Sequence, residues 1–216
     1  MNYTKTLAPK ITQIEQASSA LGFVASCDLQ VANFCAALVA GLGAKRVLEL
    51  GTGTGLSTLF MAEALAEGAQ LVSVDVDADC SAVAASVITD ARVQFEVADA
   101  GGFLKACPPH SFDFIFADAW PGKFSHLDAA LNALAPNGLY VIDDLLPQDN
   151  WPKNHQPRVD ALLAALKAMD GVALSYLDWA SGVAMVAKLD EQPIAPEIRQ
   201  HADYAFLFSE TMPSDI

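Results

Sequence analysis

The stretch Glu49-Leu50-Gly51-Thr52-Gly53-Thr54-Gly55 constrains this chain more than any other. It follows Arg46-Val47-Leu48, which reads as a short buried strand, and precedes Leu56 to Leu65, where apolar residues recur at helical spacing. The unit is strand, glycine turn, helix. Alternate glycines let the main chain turn sharply and approach a ligand without intervening side chains, while free N–H groups at a helix start favour carboxylates or phosphates. A small-molecule site is expected at this turn. The spacing also excludes two ligand classes. A dinucleotide fingerprint of the form G-x-G-x-x-G would place glycine at position 56, where Leu56 stands, and a Walker A loop would need a lysine that the turn lacks.

What remains, an acidic residue followed by three alternate glycines, resembles the first motif of the class I S-adenosylmethionine-dependent methyltransferases. The rest of the chain suits the fold this implies. Gln70 to Val76, Val93 to Val97, Phe112 to Ala117 and Leu139 to Ile142 read as strands. They alternate with helical stretches over Asp79 to Ile88, Gly101 to Cys107, Ser125 to Leu134 and Pro157 to Met169. Two last strands, Val172 to Asp178 and Val183 to Leu189, flank Trp179-Ala180-Ser181-Gly182. The expected fold is therefore α/β and Rossmann-like: a doubly wound, mostly parallel seven-stranded sheet with a C-terminal antiparallel hairpin. Upstream, a first helix is expected around Ile11 to Ala20, then a second capped by Asp28 and stopped at Gly41 or Gly43. The organisation predicted is one methyltransferase domain over residues 1–190, with a helical region at 1–45, and a tail at 191–216. The tail's aromatic cluster, Tyr204 to Phe208, suits docking on the domain itself or on a partner.

Composition narrows the partners. A net charge of −14 repels phosphate backbones, so a small-molecule acceptor is expected and nucleic acid is not. No run of about 20 apolar residues spans a bilayer, and Met1 to Lys5 lacks a signal peptide's apolar core, which predicts a cytoplasmic protein. Cys27, Cys35, Cys80 and Cys107 form no C-x-x-C pair, so neither a zinc site nor a disulfide framework is expected. The N-terminal helix could pack over the ligand or against a second subunit, which leaves a homodimer open.

In sheets of this kind ligands lie beyond the carboxyl ends of the strands, and the candidate residues fall there. Asp75 ends the second strand about 20 residues after the turn, the separation at which a carboxylate reaches ribose hydroxyls. Asp77 is its possible substitute. Asp99 ends the third strand, where the resemblance to class I methyltransferases implies a contact with the adenine amino group and the sequence itself suits a helix cap. Asp118 closes the fourth strand, and Asp143 with Asp144 closes the fifth. If the two strands are neighbours, these carboxylates meet, and like charges so close need protons or a cation; oxygen ligands suit Mg²⁺.

The segments Phe114 to Lys123 and Tyr140 to Pro147 resemble the catechol and caffeoyl-CoA type of divalent-cation-dependent O-methyltransferases, a similarity running from about Val47 to Pro147. That resemblance implies cofactor contacts at Glu49, Gly51, Gly53, Gly55, Ser57, Asp75, Asp99, Asp118 and Trp120, the last near adenine. It implies Mg²⁺ on Asp118, Asp143 and Asp144, with Lys123 beside Asp118 in the catalytic pair, as general base near the acceptor hydroxyl. The chain departs from the family in having Asp-Asp where Asp-Asn is usual, and in Pro121-Gly122 before Lys123. Downstream, Trp151 could stack on a flat acceptor and His155 could take a proton. The activity implied is methyl transfer from S-adenosylmethionine to a small, phenolic hydroxyl. Alternatives on the same fold are a metal-independent small-molecule methyltransferase and an aminopropyltransferase, and a binding or scaffold role would leave the carboxylates as spectators.

Overall fold

The computed structural model describes residues 3–148, 151–189 and 196–210. Asp149 and Asn150 of the polar loop after the fifth strand, and Met212-Pro213 of the tail, lie outside the described residues. The chain falls into two compact units, residues 1–99 and 100–216.

The first unit holds α1 (Tyr3–Leu21), α2 (Leu29–Leu42), β1 (Arg46–Leu50), α3 (Leu56–Ala64), β2 (Gln70–Asp75), α4 (Ala78–Val87) and β3 (Val93–Val97). Its strands pair in parallel, β1 with β2 and β2 with β3. α1 begins a full two turns before the expected Ile11, because Leu7 extends the buried stripe of Ile11, Ile14 and Ser18 upstream past Pro9. It packs on α3 and α4 of its own unit. α2 starts and stops where expected: the Asp28 side chain accepts from the Gln30 N–H at 2.6 Å, and Gly43 turns left-handed at φ +60°.

The second unit holds α5 (Ala100–Ala106), β4 (Phe112–Ala117), α6 (Leu127–Ala133), β5 (Leu134–Ile142), α7 (His155–Ala168), β6 (Val172–Leu177), β7 (Val183–Lys188) and α8 (Pro196–Gln200), followed by a 3-10 turn at Ala205–Phe208. β4 and β5 are parallel, while β7 runs antiparallel to both β5 and β6. Pro136-Asn137-Gly138 does not precede β5, as the sequence suggests, but bulges within it. Phe112 pairs with Leu134 and Phe114 with Leu139, so the extra residues are extruded, with Asn137 in the left-handed region at φ +62°. The seven strands form one mixed sheet in the order β3-β2-β1-β4-β5-β7-β6, mostly parallel with β7 reversed, as the sequence predicts.

The described part of the tail docks on its own unit. Arg199 pairs with Asp128 of α6, Glu210 with Lys105 of α5 at 2.9 Å, and Leu207 is fully buried. A further tie comes from Lys188 at the end of β7, which has no exposed surface. Its ammonium donates to the carbonyls of Leu131 and Leu134 at 2.8 and 2.9 Å, satisfying acceptors at the C-terminal end of α6 that the helix cannot pair itself.

Lys188→Met keeps the aliphatic stem and abandons both carbonyls, so we expect it to lower the unfolding free energy by about 2–4 kcal/mol in urea titrations, from two buried acceptors at about 1–3 kcal/mol each less a partial hydration gain.

Candidate active site

In the first unit the glycine turn is tied to the ends of β1 and β2. Gly53 donates its N–H to Asp75 Oδ2 at 2.7 Å, and Asp75 Oδ1 accepts from the Asp77 N–H at 2.9 Å. Asp75 is half-buried, so its carboxylate braces the turn and still meets solvent. Asp77 is instead the N-cap of α4, bonded by the N–H groups of Asp79 and Cys80, which hold its carboxyl below the usual range. That commitment leaves Asp75 as the acidic group facing the turn. Asp99 is exposed just before α5.

Glu49 lies at the floor of the turn with no exposed surface. Ser57 and Thr58 at the start of α3 donate their hydroxyls to it, and Ser73 of β2 donates at 2.6 Å. Burial raises its pKa to about 7, against the lowering effect of those three hydroxyls. Glu49 and Ser57 are thus bonded to each other and fasten β1, α3 and β2 together beneath the turn. Of the glycines, Gly51 and Gly53 are half-exposed, whereas Gly55 is buried. A side chain at Gly55 would put its Cβ 2.6 Å from the Ala84 Cβ, and its φ of +94° also favours glycine, so this position serves the packing of α3 on α4. Phe23 rests on Gly53, and Ser18 of α1 shares a 2.7 Å hydrogen bond with Thr54.

In the second unit the ends of β4 and β5 bring together Asp118, Asp143, Asp144 and Lys123. Asp118 and Asp143 offer carboxylate oxygens within 4.8 Å of each other. Burial and the two neighbouring carboxylates push the Asp118 carboxyl well above its usual range; burial and Asp144 push Asp143 to about 6. Asp143 is nevertheless held at fixed points: its Oδ1 accepts from the Asp144 N–H at 2.8 Å and from the Ser181 hydroxyl. Asp144 sits in the left-handed region at φ +63°, a conformation that aspartate and asparagine tolerate better than most residues, which gives the Asp-Asp and Asp-Asn pairs a common backbone reason.

Lys123 has no exposed surface. Pro121-Gly122 makes a turn, Gly122 at φ +89°, closed by a 2.7 Å bond from the Gly122 N–H to the Ser125 carbonyl, and it sends Lys123 back into the rim. The Tyr140 hydroxyl pins that turn by donating to the Gly122 carbonyl at 2.6 Å. The Lys123 ammonium donates to the Asp143 carbonyl at 2.9 Å and lies 3.7 Å from Asp144 Oδ2. Trp120 packs edge-on to Phe124, with the Arg158 guanidinium 4.9 Å from its ring centre. Ser181 and Arg158 carry no motif of their own in the sequence. Ser181 reaches Asp143 because the chain after β5 hydrogen-bonds to Ser181 and Gly182, a pairing that short-range patterns do not reveal.

The sequence and fold place the chain among known proteins. The family model described as O-methyltransferase matches residues 14–189, so this chain belongs to the O-methyltransferase family. A protein of Niastella koreensis named catechol O-methyltransferase is 34% identical over 150 residues, covering 62% of this chain and 68% of that one. A Dictyostelium discoideum protein named probable caffeoyl-CoA O-methyltransferase 1 is 25% identical over 174 residues, covering 73% and 75%. In fold the chain is similar to the O-methyltransferase TomG from Streptomyces achromogenes, solved with S-adenosylmethionine, at a TM-score of 0.73 and 20% identity, covering 84% and 90%. It is equally similar to an O-methyltransferase from Bacillus cereus solved with S-adenosylhomocysteine, at 0.73 and 22%, covering 83% and 90%.

Two outcomes follow from the geometry. Because native Glu49 keeps its proton up to about pH 7 while the unfolded chain releases it near 4.5, the native state binds more protons in that window and stability falls as pH rises through it. Urea titrations at a series of pH values should show Glu49→Gln flattening this decline between about pH 4.5 and 7. At Gly182, with φ +83°, a Cβ would lie 2.5 Å from the Leu146 N; Gly182→Ala should therefore displace the segment carrying Asp143 and Asp144 and cut turnover by at least about tenfold, about 1.4 kcal/mol of barrier, with little change in far-UV circular dichroism.

Proposed function

We propose that this O-methyltransferase uses S-adenosylmethionine to methylate the hydroxyl of a small, flat acceptor. The observation that carries the cofactor reading is the bond from Gly53 to Asp75, which joins the open glycine turn and a half-buried carboxylate into one surface. One ligand can then lay its methionine end on the turn and its ribose hydroxyls on Asp75. The named ligands of the two solved relatives support the same reading. Gly51 and Gly53 serve the methionine end, Glu49, Ser57 and Gly55 hold the turn's shape, and Asp99 and Trp120 are the candidates for adenine.

At the rim, the closely set carboxylate oxygens of Asp118 and Asp143 are donors of the kind a hard divalent ion takes. We assign Asp118 and Asp143 as the groups that would hold it, with Asp144 completing the set while paired to Lys123. A bound cation would lower the acceptor hydroxyl's pKa and fix its oxygen. Lys123, buried and bonded to Asp143, positions the rim and balances its charge. The transfer itself is an in-line displacement from the sulfonium carbon to the acceptor oxygen, so the protein's main contribution is alignment and exclusion of water. The proposal includes a cytoplasmic location and a homodimer. Val24, 87% exposed with Leu21 and Leu29 nearby in the chain, offers an apolar surface for a second copy, and light scattering tests that assembly.

Transfer of labelled methyl from S-adenosylmethionine to catechol tests the activity, and an inactive chain that moves an aminopropyl group instead would overturn it. Asp75→Ala should weaken S-adenosylhomocysteine binding by about 10–100-fold in calorimetry, the worth of about 1.5–3 kcal/mol for hydrogen bonds to a charged group. Asp118→Ala should abolish the part of turnover that Mg²⁺ restores after EDTA, whereas full wild-type turnover in EDTA would remove the metal from the reading.

A further inference from the structure

Four buried polar atoms without a hydrogen-bond partner among the described residues fall within one short stretch: Trp151 Nε1, Asn154 Oδ1, His155 Nδ1 and Gln156 Oε1. Folded proteins pair such groups almost everywhere, so a cluster of orphans asks what completes it. His155 is the most informative because only 2% of its surface is exposed and three contacts hold its ring while Nδ1 has no partner. Trp151 stacks on it with ring centres 4.1 Å apart and planes 16° apart, and Phe124 meets it edge-on at 5.2 Å.

The remaining ring contact sets the tautomer. His155 Nε2 lies 2.9 Å from the Asp144 carbonyl oxygen, which has no hydrogen to give, so Nε2–H is the donor. In the neutral ring Nδ1 then carries a lone pair and can only accept. Trp151 Nε1–H can only donate. A ligand that satisfies this stacked pair must therefore present both a hydrogen and a lone pair, which a carboxylate, a ketone or an ammonium group cannot do alone. A hydroxyl does both.

We propose that the stacked Trp151–His155 pair reads the acceptor, with His155 Nδ1 taking a hydrogen bond from a ring hydroxyl and Trp151 Nε1 donating to an oxygen of the same ligand. This rests on the hydroxyl-methylation reading above and names the residues that select its substrate class. Because the Asp144 carbonyl fixes the imidazole, the pair links acceptor recognition to the carboxylate rim within one unit. A hydroxyl-free analogue of the same shape leaves Nδ1 without a partner and binds more weakly.

The test uses full-length protein with ¹⁵N-labelled histidine, saturated with S-adenosylhomocysteine, and phenol as the probe. Four histidines are present, and His155→Gln identifies the resonances of position 155. Titrating phenol should move the His155 Nδ1 resonance toward the hydrogen-bonded range, while anisole, which has no hydroxyl, should leave it in place. His155→Gln retains an N–H for the Asp144 carbonyl and leaves no acceptor at the Nδ1 position, its own carbonyl oxygen branching from a different atom, and Trp151→Phe retains an aromatic ring and removes the donor. Each should weaken phenol binding by about tenfold with S-adenosylhomocysteine affinity unchanged within about twofold. If S-adenosylhomocysteine binds and phenol produces no Nδ1 shift up to its solubility, or phenol and anisole shift it equally, the proposal is overturned while the methyltransferase reading stands. Failure of S-adenosylhomocysteine to bind would remove both.

Discussion

Three carboxylates crowd the ends of β4 and β5 with one ammonium among them, and much of the second unit is arranged to make that crowding tolerable. Left alone, Asp118, Asp143 and Asp144 would repel one another at a cost that rises as water is excluded. Lys123 supplies one positive charge, and Ser181 with the Asp144 N–H supplies dipoles aimed at Asp143. Burial first, and the neighbouring carboxylates after it, still hold Asp118 well above its ordinary pKa and raise Asp143 to about 6. The deficit is itself chemical information. A rim so built accepts a proton or a cation readily, and the backbone details around it, the Pro121-Gly122 turn and the side-chain-free Gly182, exist to hold it in that state.

The first unit answers the same problem differently. Glu49 is as deeply buried as any described residue, yet among the described residues no cation is paired with it. Three hydroxyls donate to its oxygens, Thr52 and Ser73 share a further 2.6 Å bond, and burial keeps the carboxyl protonated to about pH 7. A hydroxyl cage around one carboxyl gives a rigid floor that carries less charge at neutral pH than an ordinary carboxylate, which suits a turn that must hold its shape. A charged rim suits a place where charge must be managed during reaction. The acidic residue of the glycine motif thus shapes the turn, and Asp75 is the carboxylate with an oxygen face toward solvent.

Most of this architecture was legible in the sequence because its signals are local. The strand, glycine turn and helix at 46–65 follow from spacing, Asp28 and Gly43 delimit α2 by cap chemistry, and the candidate carboxylates fall at strand ends because the fold puts ligands there. Signals that depend on distant partners were not legible. Lys123 enters the sequence reading only through the family resemblance, because the Tyr140 hydroxyl that pins its turn and the Asp143 carbonyl that receives its ammonium lie about 20 residues along the chain. Lys188 reads as the polar end of a strand, and only the approach of α6 shows why it is buried. β5 looked shorter than it is because Pro136-Asn137-Gly138 has the composition of a turn, and a bulge uses the same residues. His155 gave a weak signal as a lone loop histidine, and its meaning comes from the Asp144 carbonyl that fixes its tautomer.

The electrostatics bear on the charge of the acceptor proposed above. Its relatives carry names for two acceptors, a free catechol and a coenzyme A thioester, and these differ above all in charge. Coenzyme A brings several phosphate charges that must be received by lysines and arginines, ideally near the mouth of the site. This chain has 12 basic against 26 acidic residues; Lys123, Lys188 and Arg158 are buried and Arg92, Lys105 and Arg199 are paired with acidic side chains, while others, Lys153 and Lys167 among them, are exposed. A field of that sign slows the approach of a polyanion and favours cations such as a sulfonium or a divalent ion. The same reasoning favours turnover: methyl transfer converts the cationic sulfonium of the proposed cofactor into a neutral thioether, and the acidic surroundings lose their attraction for it as it forms. An uncharged phenol meets no such barrier, so the charge balance is consistent with the small, flat acceptor proposed above.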